Sequence, residues 1–205
     1  MAIQSNPTIY RPTTSLITLG AFYLFILGLN ISVWYTSSVR TCIELVFISA
    51  SVALLSYLAY GRPKIIFFDE GLTIVNPTES ITLCWAEVEG IDTKYTMRIQ
   101  TRDRNIGAWA APGPSRRQAK KAFSDGAANR INTKGLGIDP AMPISPGDLA
   151  ETHSGGAAAI ARNRLMEYSR ASEPVRFENI QIKSYYTLIS AVVLALVGSI
   201  LIVTA

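Results

Sequence analysis

Three apolar stretches, each about as long as a bilayer is thick, divide this chain and leave it one polar block. Residues 15–35 carry no charged side chain, residues 42–60 carry only Glu44, and residues 185–205 carry none. An α-helix rises about 1.5 Å per residue, so ~20 apolar residues cross a ~30 Å hydrocarbon core. The expected product is a membrane protein of α+β class: two N-terminal transmembrane helices, one displayed domain, and a third, C-terminal transmembrane helix. A cleaved signal peptide fits the first stretch poorly. The run is too long, no basic cluster precedes it, and a second apolar run follows after the short connector 36–41. That connector leaves room only for an antiparallel helical hairpin.

The cations set an expected orientation. Of the 19 Lys and Arg, 17 fall between positions 62 and 183, whereas the far side of the hairpin offers only Arg40. Basic segments are retained in the cytoplasm during insertion. The N-terminal segment 1–14 and the central block are therefore expected on the cytoplasmic side of the cell membrane, and the C-terminus outside. Tyr10, Tyr57, Tyr60, Tyr185 and Tyr186 would mark the inner interface, and Trp34 and Tyr35 the outer one. Cys42 and Cys84 then lie on opposite sides of a membrane, which argues against a disulfide. The net charge of +4 belongs to that basic inner face and gives no reason to invoke nucleic acid.

Beyond Lys64 the pattern changes to short alternating runs. Ile65-Ile66-Phe67-Phe68 leads into the turn Asp69-Glu70-Gly71, and Leu72-Thr73-Ile74-Val75 breaks at Asn76-Pro77. Ile81, Leu83 and Trp85 alternate with Thr82, Cys84 and Ala86, a period of two that predicts a strand with these three in the core. Tyr95, Met97, Ile99 and Thr101 alternate again, Arg102 to Asn105 reads as a hairpin turn, and 106–111 as a last strand. Five or six short strands imply an antiparallel barrel or sandwich over 61–111. Residues 112–156 hold much Pro and Gly and read as a long insertion. Ser154 is the expected N-cap of an amphipathic helix over 157–172, with Ile160, Leu165, Met166 and Tyr168 inward and Arg162, Asn163, Glu167 and Arg170 in water.

Phe68-Asp69-Glu70-Gly71-Leu72-Thr73 followed by Trp85-Ala86-Glu87-Val88-Glu89-Gly90-Ile91 resembles the bacterial membrane-anchored PH domains of actinobacteria. Two spans directly before the domain are typical of that family. The resemblance covers 64–111 and implies a PH-like β domain closed by a terminal helix, with a binding or scaffolding role. The insertion and the third span depart from its usual plan.

Motifs for chemistry are sparse. His153 stands without a neighbouring Cys or second His, and reads as a solvated loop residue. Gly135-Leu136-Gly137 lacks the following glycine and the strand-to-helix setting of a dinucleotide loop. Asp69-Glu70 reads as a solvated turn, and the sequon at Asn30 lies within a span. No cofactor, metal or catalytic residue is expected. Three features invite an interaction reading: the basic run Arg116, Arg117, Lys120 and Lys121 with Phe123, for lipid or partner contact; Glu44 near Arg40, at the outer end of span two; and the small residues Ala191, Ala195 and Gly198, which allow close helix approach. The expected function is a non-enzymatic accessory or scaffold subunit of a larger integral-membrane assembly, contacting membrane protein subunits and lipids but no nucleic acid. Actinobacterial respiratory supercomplexes, which carry small non-catalytic membrane subunits, would suit it. The alternative is an inner-leaflet sensor of anionic lipid or peptide.

Overall fold

The computed structural model describes residues 5–115, 117, 146–148, 152–171, 177 and 181–204. The chain divides into a β-rich unit and a helical unit.

In the helical unit, α1 (Thr13–Thr36) and α2 (Val39–Ser56, continued by a π-helical turn Tyr57–Gly61) are separated only by Ser37 and Ser38. The chain turns so tightly because Ser38 caps α2, its hydroxyl accepting from the Thr41 amide at 3.3 Å. Thr13–Thr36 and Val39–Gly61 are both long and apolar enough to cross a membrane. Polar side chains pin them together: Tyr23 Oη donates to Ala53 O at 2.9 Å, and Asn30 Nδ2 donates to Ser49 Oγ at 2.8 Å. In a hydrocarbon environment such bonds are retained because no water replaces them. Gly61 is required at the end of this run, since an added Cβ would lie 2.5 Å from Tyr57 Cδ2. A further helix, α4 (Tyr186–Thr204), packs along α2. Arg62 stacks its guanidinium 3.7 Å from the centre of the Tyr185 ring and donates from Nη1 to Pro77 O at 2.7 Å.

The β-rich unit contains two antiparallel sheets. One has the order β1 (Thr8–Tyr10), β2 (Lys64–Phe68), β3 (Gly71–Val75), β4 (Glu79–Cys84) and β8 (Gln181–Ser184); the other is β5 (Gly90–Asp92), β6 (Thr96–Gln100) and β7 (Asn105–Pro112). Register brings Phe67, Leu72 and Leu83 into one row and Ile65, Ile74 and Ile81 into the next, all on one face. That face meets Met97, Ile99, Ile106 and Ala108 of the second sheet in a single core. Each large side chain buried there contributes about 1.5–3 kcal/mol. Gly71, at the start of β3, lets β4 approach closely, because a Cβ would lie 2.0 Å from Leu83 O.

Helix α3 (His153–Arg170) covers the core through Ala157, Ala158 and Ala161, with Ile160, Leu165 and Tyr168 at its margin. The small residues let the helix backbone approach the sheets closely, which overrides the weak helix propensity of Gly155 and Gly156.

Several expectations need correction. β1 (Thr8–Tyr10), a strand that was not anticipated, pairs with β2 and extends the first sheet. β8 was also not anticipated. Trp85 is in a 3-10 turn (Trp85–Glu87) after β4 rather than in the strand, yet it is buried, with Nε1 donating to Phe68 O at 3.0 Å. The N-cap of α3 is Thr152, whose hydroxyl accepts from Gly155 N; Ser154 is buried and donates to Gly147 O at 3.0 Å. The helix begins inside the expected insertion, and Arg162 points inward to an acid partner instead of to water.

Candidate functional site

Ionisable side chains of the β-rich unit tie distant segments together. Asp69 and Glu70 form the β2–β3 turn. The Ser5 hydroxyl and amide both donate to the Glu70 carboxylate, Asn6 Nδ2 donates to Asp69 Oδ2 at 2.7 Å, and Arg164 of α3 pairs with Asp69 while also reaching Asn6 O and Thr8 Oγ1. Asn6 takes a left-handed backbone (φ 46°), which an Asn tolerates better than most residues. The acidic pair is therefore a clasp for the N-terminal strand rather than a solvated turn, and Glu70 is buried.

A second cluster holds the short 3-10 turn Pro146–Asp148. Asp148 Oδ1 accepts from Thr93 Oγ1 at 2.7 Å and from Arg162 Nη2 at 2.9 Å. Both ionic side chains are nearly enclosed, 12% and 13% exposed. Gly147 sits so close to Thr93 that a Cβ would lie 1.8 Å from its carbonyl oxygen.

His153 is neither in a loop nor free. It opens α3, with its Nδ1 3.2 Å from Tyr10 Oη, which also bonds His153 O at 3.0 Å. Burial pushes the Tyr10 phenol above its ordinary value of 10.0. Among the described residues, no three His, Cys, Asp or Glu side chains cluster as a metal site would require.

Of the basic run, Arg117 is described and exposed, while Arg116, Lys120, Lys121 and Phe123 lie outside the described residues. Ile81, Leu83 and Trp85 are core residues. Glu44 pairs with Arg40 one turn earlier at 2.8 Å. On α4, Ala191 is exposed, and a Cβ on Gly198 would meet nothing within 4 Å. Among the described side chains of α4, Val192 is buried; the side chain of Ala195 lies outside the described residues.

Sequence reasoning missed the outer face of the second sheet. Trp109 is 58% exposed there, and Tyr95, in the turn between β5 and β6, is 71% exposed. Trp109 follows the Gly107 position at a bulge in the β6–β7 register. Asn76 stands in for a missing strand at this edge: its Nδ2 donates to Gly107 O at 2.8 Å and its Oδ1 accepts from Trp109 N at 2.9 Å. The signal available was the plain alternation Ile106, Ala108, Ala110, which leaves Trp109 out of phase with the core.

No family model, curated protein or solved structure matches the chain.

Proposed function

We propose that this protein is a non-enzymatic, membrane-anchored β module with PH-like character that serves as an accessory or scaffold subunit of a larger integral-membrane assembly. The observation that carries this reading is the use of Asp69, Glu70, Asp148, Arg162 and Arg164 as internal ties. Side chains so committed stiffen a mount and are not held ready for a substrate. The helices supply the anchor. α4 supports a third crossing: it packs along α2, and Tyr185 at its start stacks on Arg62, just past the end of the α2 run. The cation distribution favours a cytoplasmic β unit. α1 carries many outward apolar residues, among them Leu24, Phe25 and Leu27, which suit lipid or neighbouring helices.

Gentle detergent extraction followed by native sizing and mass identification tests the proposal. A large heteromeric membrane complex is expected. A chain that migrates alone or only with its own copies after the mildest extraction refutes it.

A further inference from the structure

We infer that the cleft between α1 and the α2 run holds one acyl chain of a phospholipid from the surrounding bilayer. The inference rests on α1 and α2 crossing that bilayer. The cleft has a volume of about 520 Å³ and lies against Leu19 and Phe22 of α1 and Val52, Leu55, Ser56 and Ala59 of the facing run. Positions 52, 55, 56 and 59 recur at helical spacing, so they form one continuous wall. Tyr23 opens the space: its ring reaches across to the Ala53 carbonyl, 2.9 Å from its hydroxyl, and holds the two backbones apart. Nearer the helix ends, Thr18, Ser56 and Ala59 are too small to fill the gap.

The lining selects hydrocarbon over a polar ligand. Thr18 Oγ1 donates to Thr14 O at 2.9 Å, and Ser56 Oγ donates to Ala53 O at 2.9 Å, so both hydroxyl protons are spent on their own helices. Water gains little from such a wall, because it needs several polar partners to be held. What the wall offers an occupant is dispersion contact along an apolar chain.

Depth commits the occupant. α1 starts and the α2 run ends at the same end of the hairpin, where a Cβ on Gly61 would lie 2.9 Å from Leu19 Cδ2. Phe22 and Val52 each lie nine positions from that end, at Thr13 and Gly61. At 1.5 Å per residue the cleft runs about 14 Å inward, the depth of one leaflet of a ~30 Å hydrocarbon core. A partner helix would need a groove along the whole hairpin, whereas this one stops at the bridge from Tyr23 to Ala53 O. At the mouth, Tyr60 is half exposed and its hydroxyl bonds to none of the described residues. A tyrosine at headgroup level can donate to a lipid ester carbonyl. Ala59 and Tyr60 both come from the π-helical turn Tyr57–Gly61, and such turns concentrate at functional sites.

The test uses the full chain. Release from membranes by alkaline carbonate defeats the bilayer reading, and the cleft with it. Chain that stays in the membrane is purified in mild detergent and washed until bulk lipid is gone. Native mass spectrometry should then show one phospholipid per chain. Ala59→Phe, which fills the cleft, should lower that occupancy about tenfold, the effect of modest overpacking. Leu24→Phe, on the outward face of α1, should leave it unchanged. A phosphatidylglycerol with a diazirine on its acyl chain, exchanged into the unaltered protein, should label residues 18–22 and 52–60; this readout does not depend on how Ala59→Phe folds. Loss of all lipid on washing, bound lipid indifferent to Ala59→Phe, or labelling confined to outward residues such as Leu24 and Phe25 each overturns the cleft while the anchor stands. Recovery of an isoprenoid quinone in place of phospholipid overturns the assignment of the occupant.

Discussion

Asp148→Ala tests whether the short turn before α3 is part of the fold. The substitution leaves the Arg162 guanidinium without its acid and the Thr93 hydroxyl, itself 1% exposed, without its acceptor. A neutral hydrogen bond contributes about 1 kcal/mol and a charge-assisted one about 1.5–3 kcal/mol, which together give about 2.5–4 kcal/mol. Breaking one side of a nearly enclosed ion pair costs about 3–5 kcal/mol by mutational experience, so the two routes agree. The assay is chemical unfolding of the intact chain in detergent, read from Trp85 emission in a Trp34→Phe/Trp109→Phe background. Asp148→Leu with Arg162→Leu should be less harmful than the sum of the single changes, because no charge is left unpaired. A single-site loss below about 1 kcal/mol, the range of exposed pairs, together with simple additivity, refutes the reasoning.

Tyr10 gives a pH signature. Its phenol is raised in the folded chain, so the unfolded state loses its proton first and stability should fall as pH climbs from about 10 through the folded value; Tyr10→Phe should flatten that limb of a denaturation series. Asn76→Ala strands Gly107 O and Trp109 N and should cost about 1–3 kcal/mol in the same unfolding assay; a loss of a few tenths would mean water takes over both bonds. For topology, a cysteine at Ser37 should react with impermeant thiol reagents on intact cells and one at Ser169 should not. The reverse pattern inverts the orientation.

What the sequence made legible followed from long or strongly periodic signals. Apolar runs of membrane length became α1 and α2, and alternation at Ile81 and Leu83 corresponds to one buried face of β4. Short elements escaped for a physical reason. Thr8-Ile9-Tyr10 has β-branched and aromatic residues between two prolines, but three residues carry little periodicity, and the strand exists because β2 offers an edge. The start of α3 was hidden by Gly155 and Gly156, which are poor helix formers unless close packing rewards their small size. Arg162 and His153 could be placed only by long-range partners, Asp148 on the preceding turn and Tyr10 far along the chain. Trp109 was assigned to a strand with no notice that alternation with buried Ile106, Ala108 and Ala110 puts it on the outer face.

The pairing of β1 with β2 has a consequence for any attempt to isolate the β-rich unit. The helical hairpin is inserted between two strands that are neighbours in one sheet, with Thr8 opposite Phe67, Ile9 opposite Ile66 and Tyr10 opposite Ile65. A piece that starts at Arg62 therefore loses an edge strand and the clasp on Asp69 and Glu70. Extended by one residue beyond Tyr10 opposite Ile65, this register would set Arg11 opposite Lys64, a spacing that a two-residue Asn-Gly turn closes naturally. Joining residues 5–11 through Asn-Gly to residues 64–182 should give a folded β unit without the hairpin. Loss of the three bonds that Ser5 and Asn6 donate to Glu70 and Asp69 makes the version starting at Arg62 weaker, by about 1 kcal/mol for each of these partly exposed bonds. Urea unfolding of the two versions, with Trp85 as reporter, measures the gap. Equal stability would show that the N-terminal strand merely rests on the sheet, and that the clasp around Asp69 and Glu70 contributes nothing to the fold.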